Sequence, residues 1–244
     1  MLVTTDAIVI KTLKYGDTSL IGYVFTEALG LQTVMLKGVR TTKSKMGNAG
    51  IWQSGNLISL VIYHHPQKNF QIVKEFKPSC IFKNIPENII KQCVMVFAME
   101  VLNLYLQKDN KQSDLYFFTL KFLHTLDEVP VQYIANLPLY FLLNSGKLNG
   151  YIISGTYSAI TCNVNIPEGR FSESVHSQYS LLESTEAQLL SDMIQESDIY
   201  NFMKMPISKS QRITLQTALI QFMEWHIPDF KPLKSLPVIR TVLN

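Results

Sequence analysis

Leu36-Lys37-Gly38-Val39-Arg40-Thr41-Thr42-Lys43-Ser44-Lys45 is the stretch on which the reading of this chain turns: four cations fall within nine residues, Lys37 to Lys45, with no acid among them. Three β-like segments precede it and two follow. Short strands that carry a flexible basic loop make a surface suited to a phosphate backbone. The plainer alternative is a long loop that collects lysines because it is solvated.

Working outward, Thr4 to Leu13 reads as a strand, with β-branched residues dense around Ile8, Val9 and Ile10. Tyr15-Gly16-Asp17 is a turn signal, and Thr18 to Phe25 is a second strand in which Gly22 would tolerate a bulge or sharp coil. Ala28-Leu29-Gly30 turns the chain into a third strand, Leu31 to Leu36. After the basic loop and the Gly47-Asn48-Ala49-Gly50 tract come Leu57 to Tyr63 and, beyond the His64-to-Asn69 turn, Phe70 to Phe76. Five strands in about 75 residues, with one long loop between the third and fourth, predict a small closed barrel of the OB type. An SH3-like barrel or an open sheet would give much the same pattern.

After Pro78 the period becomes helical. Pro86-Glu87 reads as a helix start, and Ile89, Ile90, Cys93, Val94, Phe97, Val101, Leu104 and Tyr105 recur at helical spacing. A second helix is expected from Ser113 to Glu128, and a third from Pro130 to Asn144, kinked or split near Pro138 and stopping at Gly146. Residues 149–180 read as irregular. Ser184 caps a further helix to Glu196, and Ser208 with Gln211 forms a capping box for a last long one ending before Pro228. The apolar tail from Pro228 to Asn244 is expected to be packed down. The organisation predicted is thus α+β: an OB barrel over residues 1–80 and an all-α domain over residues 81–244.

Composition narrows the class. With 47% hydrophobic and 17% charged residues, a chain of 244 residues needs neither disorder nor disulfides to be accounted for. Cys80, Cys93 and Cys162 are odd in number and far apart, as fits a reducing compartment. Asp6 and Lys11 stand where a signal peptide would need an apolar core, and the run Cys93 to Leu106 is broken by Glu100 and Asn103, so a cytoplasmic protein with no membrane span is expected. The net charge of +3 is uneven: residues 1–80 hold nine Lys or Arg against four Asp or Glu, and the remainder thirteen against fifteen. A polyanion should meet the β end first.

No catalytic constellation is apparent. GxSxG, Walker A, GxGxxG and HExxH are all missing, so no enzyme activity, cofactor or metal is predicted. His64-His65 reads as a turn, His124 and His226 as half-buried packing residues, and Asp127 and Glu128 as solvated acids at a helix end. The barrel offers a binding surface instead. Lys11, Lys14, Lys37, Arg40, Lys43 and Lys45 are the expected nucleic-acid-binding cations, and Tyr15, Tyr23 and Trp52 the expected base-stacking platforms, barrel core being the alternative for each aromatic.

Thr5-Asp6-Ala7-Ile8-Val9-Ile10-Lys11, Tyr15-Gly16-Asp17-Thr18-Ser19-Leu20, Phe25-Thr26 followed by Gly30, and Lys37-Gly38-Val39-Arg40 with Lys43-Ser44-Lys45 together resemble the bacterial RecO recombination-repair family. Trp225-His226-Ile227-Pro228-Asp229-Phe230 with Leu233-Lys234-Ser235-Leu236 resembles the C-terminal signature of its Bacteroidetes-type members. The resemblance implies an N-terminal OB domain and a helical C-terminal domain. It implies binding of single- and double-stranded DNA, annealing of complementary strands and, with RecR, loading of RecA onto gaps coated with single-strand DNA-binding protein, whose acidic tail docks on the helical domain. Lys37, Arg40, Lys43 and Lys45, with Lys11 and Lys14, match the family's basic barrel surface. Many members carry a four-cysteine zinc module where this chain has Cys162 alone, so no structural zinc is expected. An adaptor barrel that binds a protein, and an RNA-binding barrel, are the competing readings.

Overall fold

The β-branched run near the N-terminus belongs to a longer strand than its composition suggests, β1 (Leu2–Tyr15), which pairs antiparallel with β2 (Ser19–Thr26) through its second half and with β4 (Leu57–Tyr63) through its first. β3 (Gly30–Leu36) follows β2 by a tight turn, and β5 (Gln71–Pro78) follows β4. The sheet closes through one short parallel contact, Val34 with Gln71 and Met35 with Ile72. The resulting order, β1-β2-β3-β5-β4 in a closed barrel, is that of an OB fold, and the open-sheet alternative falls. This computed structural model describes residues 1–40, 49–173, 181–182 and 184–243.

Inward-facing residues alternate along every strand, as a barrel requires. Ala7, Val9, Leu20, Val24, Val34, Leu36, Ile58, Leu60, Ile62 and Val73 form the barrel core. A 3-10 turn at Ala49–Trp52 sends Trp52 into that core, where it is 1% exposed and meets Phe76 edge-on at 5.3 Å between ring centroids. Gly22 makes the room: a Cβ there would lie 2.8 Å from the Trp52 ring. Gly22 therefore marks a close packing approach, not the bulge its position suggested. The bulge lies in β1, between Val9 and Lys11.

The chain divides into two compact units, Met1–Glu128 and Val129–Asn244. The first contains the barrel, α1 (Ile89–Tyr105) and α2 (Ser113–Glu128). α1 begins later than the proline suggested: the Asn88 side chain accepts hydrogen bonds from the Ile90 and Lys91 amides and is the true cap. Tyr116 of α2 meets Phe25 of the barrel wall edge-on at 5.4 Å. The α1–α2 loop crosses the thinly paired side of β3, where the Asp109 amide donates to the Leu31 carbonyl at 3.3 Å and the Gln32 side chain donates to Asp109 at 2.8 Å. Gly30 is required beneath it, since its φ is +68° and a Cβ would fall on the Asn110 carbonyl.

Asp127 was expected to be solvated; it is 9% exposed. Its carboxylate accepts from the backbone amides of Lys83 (3.1 Å), Asn84 (2.8 Å) and Ile85 (2.8 Å), clamping the segment that leaves the barrel. The buried Lys91 ammonium donates to the Asp127 carbonyl at 2.7 Å. Burial alone would raise the Asp127 pKa, but the three amides and the Lys91 charge outweigh it and hold the carboxyl below its ordinary range.

In the second unit a 3-10 segment (Val131–Asn136) leads into α3 (Leu137–Leu148), with Pro138 in the first turn where its missing N–H costs nothing. The split expected near Pro138 is thus present, although α3 runs on through Gly146. The described part of the stretch read as irregular, residues 149–173, is not wholly so: β6 (Asn163–Asn165) pairs with β7 (Arg170–Ser172), and beyond that stretch also with β8 (Leu181–Leu182). α4 (Ser184–Gln195) and α6 (Lys209–His226) lie where expected, and both hydrogen bonds of the Ser208–Gln211 capping box are made. Between them the short α5 (Ile199–Lys204), capped by Asp198, has too few residues for a periodic signal. The tail forms α7 (Leu236–Val242), anchored by the fully buried Ile239.

Candidate nucleic-acid interface

The β1 bulge sets the geometry of the basic surface. Before it, odd-numbered residues of β1 face the core; after it the alternation is reset, so that Lys11 stands opposite Tyr23 on the outer wall. The Lys11 ammonium sits 4.7 Å from the centre of the Tyr23 ring, a cation–π contact. Lys14, opposite Leu20, lies beyond the end of the core and is exposed. Tyr15, opposite Ser19 at the end of the strand, is 52% exposed.

The segment after β3 folds back on this end of the barrel. The Arg40 amide donates to the Thr18 carbonyl at 2.9 Å, and its guanidinium donates to the Gly16 carbonyl at 3.2 Å. The Gly38 amide donates to the Ser19 hydroxyl at 3.4 Å, and Val39, 2% exposed, pins the segment to the core. Lys37 and Arg40 are thereby held beside Lys14 and Tyr15 at one mouth of the barrel, all four exposed. Among the described residues none of Lys11, Lys14, Lys37 and Arg40 makes an ion pair, although Asp17 lies in the intervening turn. Cations gathered at one barrel mouth without a paired acid are what an anionic backbone can engage, because no carboxylate must be displaced.

Lys43 and Lys45 lie outside the described residues. Tyr15 and the half-exposed Tyr23 are accessible to a base. Trp52 is not, and its assignment as a stacking platform is corrected: an indole that fills the barrel core has no face left for a ligand. Sequence reasoning missed the outward-facing Tyr63 and Ile72, 43% and 40% exposed, which the pairing of β5 with both β3 and β4 brings alongside Met35. Period-two alternation in Phe70 to Phe76 was visible, but not which strand β5 would lie against.

His64 and His65 form part of the β4–β5 turn, held by the Gln71 side chain, which accepts from the His65 amide at 2.7 Å and donates to its carbonyl at 3.1 Å. Among the described residues no three His, Cys, Asp or Glu side chains gather as a metal site, and no helix is long and apolar enough to cross a membrane.

The fold and its basic mouth define an OB-barrel protein with an appended helical unit. The family model for the N-terminal domain of recombination protein O matches residues 1–82, and that for its C-terminal domain matches residues 86–237. The chain belongs to the RecO family of recombination and DNA-repair proteins. It is 27% identical to the DNA repair protein RecO of Christiangramia forsetii and 28% identical to that of Flavobacterium psychrophilum, each over the full length of both chains. A stretch of 75 residues, 31% of this chain and 28% of the relative, is 40% identical to RecO of Prosthecochloris aestuarii.

Proposed function

We propose that this chain is a cytoplasmic, nucleoid-associated recombination mediator that acts without catalysis. Residues 1–80 hold single- and double-stranded DNA through Lys11, Lys14, Lys37, Arg40, Lys43 and Lys45, and residues 81–244 serve protein partners. Phosphate contacts release counterions and mask strand charge, so two complementary strands can approach and anneal. By family, the partners are RecR, the acidic tail of single-strand DNA-binding protein and, indirectly, RecA on gaps that the tail-bearing protein coats. The observation that carries the DNA reading is the convergence of Lys14, Lys37 and Arg40 on one barrel mouth, with no acid paired to them among the described residues.

A strand-annealing assay with Lys37→Glu/Arg40→Glu tests it. Both side chains are exposed, so the fold should survive. Annealing by wild type and its collapse in the variant, with unchanged thermal melting, is the expected result. Equal annealing by both proteins would remove the barrel mouth from the mechanism.

A further inference from the structure

β4 is the middle strand of a three-strand face of the barrel, with the first half of β1 on one side and β5 on the other. Its registers set the outward side chains of that face in rows. The first row is Leu2, Tyr63 and Ile72, which are 51%, 43% and 40% exposed. Neighbours on adjacent strands stand roughly 5 Å apart, so these three make one apolar strip and not scattered single residues. The second row is Thr4, Val61 and Glu75, because a register shift between Val61 and Ile62 carries Glu75 opposite Val61. The third is Asp6, Ser59 and Lys77. Asp6 and Lys77 thus stand exposed at opposite margins of one face, and neither makes an ion pair among the described residues.

A face laid out in this way is complementary to itself. A two-fold axis along β4, in the plane of contact, turns β1 of one copy over β5 of a second and keeps each row opposite its own image. Leu2 then meets Ile72 of the second copy and Tyr63 meets Tyr63. Asp6 meets Lys77 twice, once in each direction. An axis across the strands would instead set the apolar strip on the charged third row, with Leu2 opposite Asp6. Apolar contact and charge therefore select the same symmetry. A nucleic-acid strand fits the face poorly, since Asp6 and Glu75 would repel its phosphates.

We propose that the β1–β4–β5 face is a self-association surface on which two copies of this chain pair about a two-fold axis along β4. Three rows on three strands span roughly 14 Å by 20 Å, about 300 Å² a copy, against about 800 Å² a side for a standard stable interface. The pair is accordingly weak: it forms where copies are concentrated and separates on dilution. An axis parallel to the strands preserves their direction, so the two basic mouths open the same way, side by side. Where the mouths hold DNA, the pair presents one bound strand beside another. That consequence rests on the DNA-binding reading above; the pairing itself does not.

The test is sedimentation velocity of the full chain at rising protein concentration, using wild type, Asp6→Lys, Lys77→Glu and an equimolar mixture of the two variants. Wild type should shift from monomer to dimer as concentration rises. Each variant alone should associate about tenfold or more weakly, because like charges then meet at both margins. The mixture should regain wild-type association, since each altered margin finds its opposite on the other variant, a gain that misfolding cannot produce. Wild type that stays monomeric throughout, variants that pair as wild type does, or a mixture with no recovery would overturn the proposal and leave the face to a different protein. Anisotropy of a labelled single strand on the same samples separates this inference from the DNA reading. Wild type that pairs but binds no strand keeps the face and loses the DNA reading; wild type that binds the strand but never pairs keeps the DNA reading and loses the face.

Discussion

Two side chains show what single residues decide here. Asp127 gathers three backbone amides and sits over a buried lysine. Asp127→Asn keeps the shape but loses the charge-assisted bonds, so a loss of about 2–3 kcal/mol in urea unfolding at pH 7 is expected. The sign of the pH dependence follows from its depressed pKa. The folded carboxyl titrates below its unfolded value of about 3.9, so its stabilisation is complete above that pH and is lost as pH falls through the folded pKa. Wild type and Asp127→Asn should therefore converge in stability on acidification, and a gap independent of pH would contradict the clamp. From sequence, an acid at a helix end looked solvated, because nothing local says that a segment more than forty residues earlier returns to it. Trp52 is the second case. Trp52→Ala should cost about 3–5 kcal/mol as a core truncation, whereas Tyr15→Ala should leave the melting curve unchanged and weaken single-strand binding. Loss of stability from Tyr15→Ala and none from Trp52→Ala would reverse the two assignments.

At the scale of elements, strands and long helices were legible because period and capping are local. α2 begins and ends where its apolar spacing predicts, and the Ser208–Gln211 box starts α6 as written. Pairing was not legible. The β1 bulge decides that Lys11 faces outward beside Tyr23, yet no glycine or proline marks it. The parallel closure of β3 on β5 joins residues far apart in the chain, and with it the juxtaposition of Met35, Ile72 and Tyr63 stayed hidden. The strap formed by the α1–α2 loop is a third non-local feature, and Gly30 reports on it. Gly30→Ala forces an L residue into positive φ and onto the Asn110 carbonyl, so a loss of about 2 kcal/mol or more is expected in thermal or urea unfolding. A neutral Gly30→Ala would mean the loop does not lie against the barrel.

For the molecule as a whole, charge asymmetry was the most informative number in the sequence: a net +5 from nine cations and four acids in the first 80 residues, against −2 in the rest. It pointed to the barrel as the nucleic-acid end before any strand was paired. The central claim is that the cations around the barrel mouth hold DNA by its phosphates. It is tested most directly by fluorescence anisotropy of a labelled single strand across a salt series, comparing wild type with Lys37, Arg40, Lys43 and Lys45 all changed to Ala. Four phosphate contacts on a single strand contribute a salt slope of roughly −3, so the variant should lose affinity and flatten by about that amount. Coincident curves would contradict the account, showing that the basic segment is merely solvated and that the barrel serves a protein partner instead.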